Sequence, residues 1–153
     1  MRREEKYPET DTFVYFNANP KGRVTCDCWL RAVCTGLGES YNKVLKEMCD
    51  VHLKTGYELS GSKAVDIYLQ SKGWRKHRQP RMPDNTKYTG REFCRKITAN
   101  GSVGNVICNI GGNHMVAILP VNHGDGPKYK IHDTWDSTGG CIGNYWTKAG
   151  GVA

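Results

Sequence analysis

The sequence predicts an α+β fold in one domain spanning residues 1–153, N-terminal helices packed on a C-terminal antiparallel β-sheet. Three observations point there. Apolar residues recur at helical spacing between about 27 and 100, and short β-type runs separated by Gly, Asn and Asp follow from 103 onward. A chain of 153 residues can bury one sizeable core but not two. Hydrophobic residues make up 38% and charged residues 24%, which excludes a disordered tail.

Residues 1–22 are polar, carry Pro8, Pro20 and Gly22, and read as an irregular arm with a short extended piece at Phe13–Phe16. The first helix begins at Asp27-Cys28-Trp29-Leu30-Arg31-Ala32. Ala, Leu and Arg favour helix, Asp27 suits an N-cap or first turn, and Gly36 and Gly38 mark the end. In the second, Ser40 is the N-cap, Tyr41, Val44, Leu45 and Met48 share one face, and Gly56 stops it. A third runs from Ser62 or Lys63 to Ser71, with Ala64, Ile67 and Tyr68 inward. The fourth opens on the capping box Thr89-Gly90-Arg91-Glu92, where two orphan backbone donors are satisfied reciprocally, and it continues to Asn100-Gly101. Val103–Ile110, His114–Pro120, Lys128–Trp135 and Ile142–Trp146 are the expected strands.

The formal charge is +7, and much of it sits between Lys72 and Arg81. Lys72, Arg75, Lys76, Arg78 and Arg81 form either an electrostatic footprint for nucleic acid or an acidic partner, or a solvated strand and loop. Trp74 alone interrupts the run, so stacking partners for single strands are sparse. No apolar stretch approaches the roughly 18–20 residues that span a bilayer, and none follows Arg2-Arg3 as a secretory signal would. The expected compartment is therefore cytoplasmic. Seven cysteines (26, 28, 34, 49, 94, 108 and 141) without a signal sequence argue for free thiols. Cys26 and Cys28 have no second ligand pair of the kind structural zinc uses, so neither a metal nor a cofactor is expected.

His114 and Asp133 bound two neighbouring strand runs. A hairpin centred between His123 and Gly124 would set them opposite each other on one face. A carboxylate there fixes the imidazole tautomer and frees the other nitrogen for proton transfer. Taken singly, His114 reads as an edge histidine and Asp133 as a strand-end turn former. Cys28 opens a helix, where partial positive charge and a nearby imidazolium favour the reactive thiolate. Without that company it would be one more buried thiol.

Together these residues resemble the papain-like cysteine peptidases. Cys28-Trp29 opening a helix is similar to their Cys-Trp. Asn113-His114-Met115-Val116-Ala117-Ile118 resembles the segment that bears their histidine, and Asp133-Thr134-Trp135-Asp136 resembles their Asn-Ser-Trp-Gly. Asp27-Cys28 with Arg31-Ala32, Asp133-Thr134-Trp135-Asp136-Ser137 and Tyr145-Trp146 further resemble small phage and bacterial proteins of papain-like type, over about residues 19–146. The resemblance implies a cysteine hydrolase acting on a protein or peptide through Cys28, His114 and Asp133. It also implies Trp29 and Trp135 as walls of the site, and the host cytoplasm as the compartment if the chain is phage-encoded. Departures are evident. Cys26-Asp27-Cys28-Trp29 replaces the main family's Cys-Gly-Ser-Cys-Trp, and His114 follows Cys28 more closely than the usual roughly 130–150 residues. Gly22 stands where the oxyanion-hole glutamine would be. Asn19, the nearest upstream amide, takes that part here, with the backbone N–H of Cys28 as the second donor. Asp136 is the alternative orienter. The runner-up function is a papain-like scaffold that binds a host protein or nucleic acid without turnover.

Overall fold

The computed structural model describes residues 1–101 and 103–150. Among them are helices α1 (Arg3–Lys6), α2 (Cys28–Leu37), α3 (Tyr41–Thr55), α4 (Ser62–Ser71) and α5 (Gly90–Asn100). Strands are β1 (Phe13–Tyr15), β2 (Trp74–His77), β3 (Val106–Ile110), β4 (His114–His123), β5 (Gly126–Asp133) and β6 (Ile142–Lys148). The four helices expected from periodicity form, and their ends follow local chemistry. Ser40 Oγ accepts from the Lys43 N–H at 3.2 Å to start α3. At α5, Thr89 Oγ1 accepts from the Glu92 N–H and Glu92 Oε1 accepts from the Thr89 N–H, at 3.2 and 3.0 Å.

The strands make one six-stranded sheet in the order β1-β5-β4-β3-β6-β2. It is mixed, not wholly antiparallel as expected, because β1 pairs in parallel with β5. Both edge strands come from outside the C-terminal run of strands. Phe13 is completely buried, so β1 docks to hide it. In β2, Trp74 turns inward while Arg75 and Lys76 face solvent, the charged outer row that protects an open edge. One face of the sheet carries α5 through Phe93, Cys94 and Ile97. The other carries α2, α3 and α4, whose Val33, Met48 and Leu69 meet Ile107, Met115 and Trp146. Apolar layers on both faces explain why β3 and β4 read as nearly continuous hydrophobic runs.

Three local expectations need correction. The arm forms the expected extended piece, as β1, but also the short helix α1, which was not expected. Ile67 lies 38% exposed because α4 buries Ala64, Val65, Tyr68 and Leu69, a stripe rotated away from it. The first expected strand starts at Val106, not Val103. Gly36 is required where α2 lies on the sheet, because a Cβ there would collide with the Ile107 side chain.

Candidate active site

Three element ends converge. Cys28 is the first residue of α2, His114 the first of β4 and Asp133 the last of β5. The β4–β5 hairpin pairs Ile118 with Ile131 and His123 with Gly126. Its centre therefore falls between Gly124 and Asp125, one residue later than expected, and the connection is a two-residue turn. His114 and Asp133 are consequently diagonal neighbours on one face instead of directly opposed. The shift by two positions preserves the face, and long side chains reach across a diagonal. His114 Nε2 lies 2.6 Å from Asp133 Oδ2. Parallel pairing of β1 fixes Asp133 from the other side, through the register Tyr15 to Asp133 and the bond from the Phe16 N–H to the Asp133 carbonyl at 2.9 Å.

With Nε2 committed to Asp133, Nδ1 is the remaining ring nitrogen, and Cys28 lines the same cleft as the ring. Burial opposes ionisation of Cys28. Against it act a hydrogen bond with His114, the Met115 backbone N–H, and the charges of His114 and Arg31, and together they hold the thiol below its ordinary value. Burial would likewise depress His114, but hydrogen bonds to Asp133 and Cys28 and their negative charge raise it to about 9. Both shifts run in the direction that favours a thiolate–imidazolium pair over the neutral one. Burial drives other thiols the opposite way: Cys34 is raised, Cys94 reaches about 12, and Cys108 lies well above the ordinary range.

Asp133 is 1% exposed, and both its oxygens are fully engaged. Oδ2 accepts from His114 and from Ser137 Oγ at 2.8 Å. Oδ1 accepts from the Thr134 N–H at 2.7 Å and from Arg31 Nη1 at 3.2 Å. Burial raises its carboxyl, yet these partners, led by His114, outweigh burial and keep it low. Arg31 Nε also donates to Asp27 Oδ1 at 2.9 Å, so a buried guanidinium bridges two buried carboxylates. Asp27 Oδ2 in turn accepts from Tyr41 Oη at 2.7 Å and Asn19 Nδ2 at 3.1 Å.

Sequence reasoning missed Arg31, Tyr41 and Ser137 as parts of this network. The i,i+4 spacing of Asp27 and Arg31 was the readable signal. Asn19 departs from its expected role: its amide is tied to Asp27, and it does not line the cleft that Cys28 and His114 border. Asp27 precedes α2 but makes no side-chain cap, because its oxygens are taken by Arg31, Tyr41 and Asn19. The first-turn N–H groups of α2 are therefore left uncapped by it. Asp136 Oδ1 accepts from Thr138 N and Oγ1, which makes it a turn former and not an orienter.

The cleft holds about 610 Å³, and Trp29 and Trp135 both line it. The Trp135 ring sits 5.2 Å from the His114 ring, centroid to centroid. A second cavity of about 630 Å³ lies at the far end of α2 against Phe16, Cys34, Tyr41 and Leu119, away from the thiol. Within the basic run, Lys72 is taken by Glu47 at 2.9 Å and Glu39 at 3.7 Å, Lys76 lies over the Trp146 ring, and Arg81 donates to the Asn85 carbonyl. Among the described residues no three His, Cys, Asp or Glu side chains converge as a metal-ligand set, and no helix is long and apolar enough to cross a membrane. No family model, curated protein or solved structure matches the chain.

Proposed function

We propose that the chain is a cysteine-dependent hydrolase of papain-like design, acting on an amide, isopeptide, ester or thioester through Cys28, His114 and Asp133. One observation carries the reading. A thiol at a helix N-terminus and an imidazole border one cleft, each draws the other toward its charged form, and the imidazole Nε2 is 2.6 Å from a buried carboxylate. Those are the parts of nucleophile, base and orienter.

In this mechanism the Cys28 thiolate attacks the carbonyl carbon and the imidazolium of His114 stands ready as acid. Uncapped backbone N–H groups at the start of α2, beginning with Cys28, hold the tetrahedral oxyanion. Collapse breaks the bond to the leaving group, which takes its proton from His114 and departs. Neutral His114 then removes a proton from water, the hydroxide adds to the thioester, and the acid is released with the Cys28–His114 pair restored. Asp133 keeps the ring in place and stabilises its cation, while Trp29 and Trp135 exclude bulk water. The substrate is a protein or peptide on this reading.

A second reading, binding without turnover, has one observation in its favour: the amide of Asn19 is spent on Asp27, so no upstream amide is left for the oxyanion. A fluorogenic thiol-reactive acyl probe separates the two. The hydrolase reading expects labelling concentrated at Cys28 and reduced about 10²-fold or more in His114→Ala. Equal, slow labelling of Cys26, Cys28 and Cys141 in both proteins would defeat it.

A further inference from the structure

We infer that substrates of this cleft carry a carboxylate, received by Arg3 on the flank from which the leaving group departs. The inference rests on the hydrolase reading and names the substrate chemistry of that same site. The residues lining the cleft include no Asp or Glu. Three of them bear a cation or can: Arg3, Arg31 and His114. Arg31 is neutralised by Asp27 and Asp133, and His114 by Asp133. Arg3 differs. Among the described residues no carboxylate ion-pairs with it, although the adjacent Arg2 is paired with Glu4 and Glu5 at 3.8 and 3.0 Å.

Arg3 is also held in place. Its Nε donates to the Thr134 carbonyl at 2.6 Å, and its guanidinium carbon lies 5.6 Å from the Tyr7 ring centroid. An arginine anchored through Nε keeps its two η nitrogens as a fixed fork, the geometry that accepts a carboxylate in two parallel bonds. With no acidic neighbour in the cleft to compete, the fork has no internal substitute for a ligand anion.

Its position assigns the side. Thr134, which anchors Arg3, lies between Asp133 and Trp135, and the Trp135 ring rests against His114. His114 is the group that protonates the leaving group, so the leaving group passes over this flank. The carboxylate is either an acidic side chain just beyond the scissile bond or the free terminus of a short leaving peptide. Both offer the same two oxygens.

The test uses the intact chain and four iodoacetyl amides that alkylate Cys28. N-iodoacetylglycinamide is neutral, N-iodoacetylglycine carries a terminal carboxylate, N-iodoacetyl-isoglutamine carries a side-chain carboxylate with its end capped, and N-iodoacetyl-lysinamide is cationic. Rates are normalised to those with glutathione. At low salt at least one anionic probe should react about tenfold faster than the neutral one, and the lysine probe more slowly. Whichever anionic probe leads identifies the source of the carboxylate. The preference should fall to about twofold or less in Arg3→Gln, survive in part in Arg3→Lys, and shrink with added salt. Because each protein is scored by a ratio between probes, a general loss of folding does not mimic the result. No anionic preference, or one unchanged in Arg3→Gln, overturns the inference while leaving the hydrolase reading intact. Slow alkylation by every probe, unaffected by His114→Ala, sinks the hydrolase reading and this inference with it.

Discussion

Replacing Arg31 by Met tests the electrostatic frame beneath the site. Arg31 is 7% exposed, and its guanidinium donates to Asp27 at 2.9 Å and to Asp133 at 3.2 Å. Methionine fills much of the same volume but leaves two buried carboxylates without their shared cation. Removing one partner of a buried ion pair costs about 3–5 kcal/mol, because the residual charge is uncompensated. That is a large share of the roughly 5–15 kcal/mol expected for a domain. Urea unfolding should show a midpoint shift of that size with little change in slope. Asp27→Asn in the same background should recover part of the loss, since one of the stranded charges disappears. The site should respond as well. Arg31 contributes positive charge toward Cys28, so the pH midpoint for alkylation of Cys28 by iodoacetamide should move upward. A loss below about 1 kcal/mol, or strict additivity with Asp27→Asn, would refute the account of Arg31 as the compensating charge.

Two further outcomes follow from the same geometry. The pH dependence of kcat/KM for any turnover substrate should be bell-shaped, with an acid limb below the ordinary thiol range and an alkaline limb near 9, where His114 loses its proton; an alkaline limb near 6.5 would mean that Asp133 does not hold the imidazolium. Gly36→Ala should destabilise by about 1–3 kcal/mol in thermal or urea unfolding, because the new methyl is driven into Ile107; a neutral or stabilising result would mean that α2 lifts off the sheet at no cost.

Much of the fold was legible because its signals are local. Ser40 and Thr89 announce their helices through bonds to residues three positions on, and the strands of β3–β6 are separated by the glycines and asparagines that turn them. What escaped is non-local. The parallel docking of β1 rests on three residues pairing with a strand more than 100 positions away, and no periodicity in Phe13–Tyr15 encodes that partner. The hairpin register was misjudged by one residue because several turn-forming residues surround Gly124, and the face survived only because the resulting displacement is even. For α4, Ile67 and Val65 are equally apolar, and which of them turns inward depends on how the helix rolls against α3.

The site shows the same division more sharply. Cys28, His114 and Asp133 stand at element ends, so sequence could nominate them. Arg31 was readable only as a helix former with an i,i+4 acid, since its second partner, Asp133, lies 102 positions along the chain. Yet Asp133 is what makes Arg31 intelligible. A neutral amide at this position could orient an imidazole without bringing charge into the core. An aspartate at 1% exposure needs compensation. When His114 is neutral its counter-charge vanishes, and Arg31 is then the cation left facing Oδ1. Arg31 brings in a charge of its own, which Asp27 balances, and Asp27 is satisfied in turn by Tyr41 and Asn19. Each step answers the burial cost created by the one before. A carboxylate buried beside the histidine thus accounts for a polar network that reaches from β5 across α2 to α3, and for the bond that holds the Asn19 amide to Asp27.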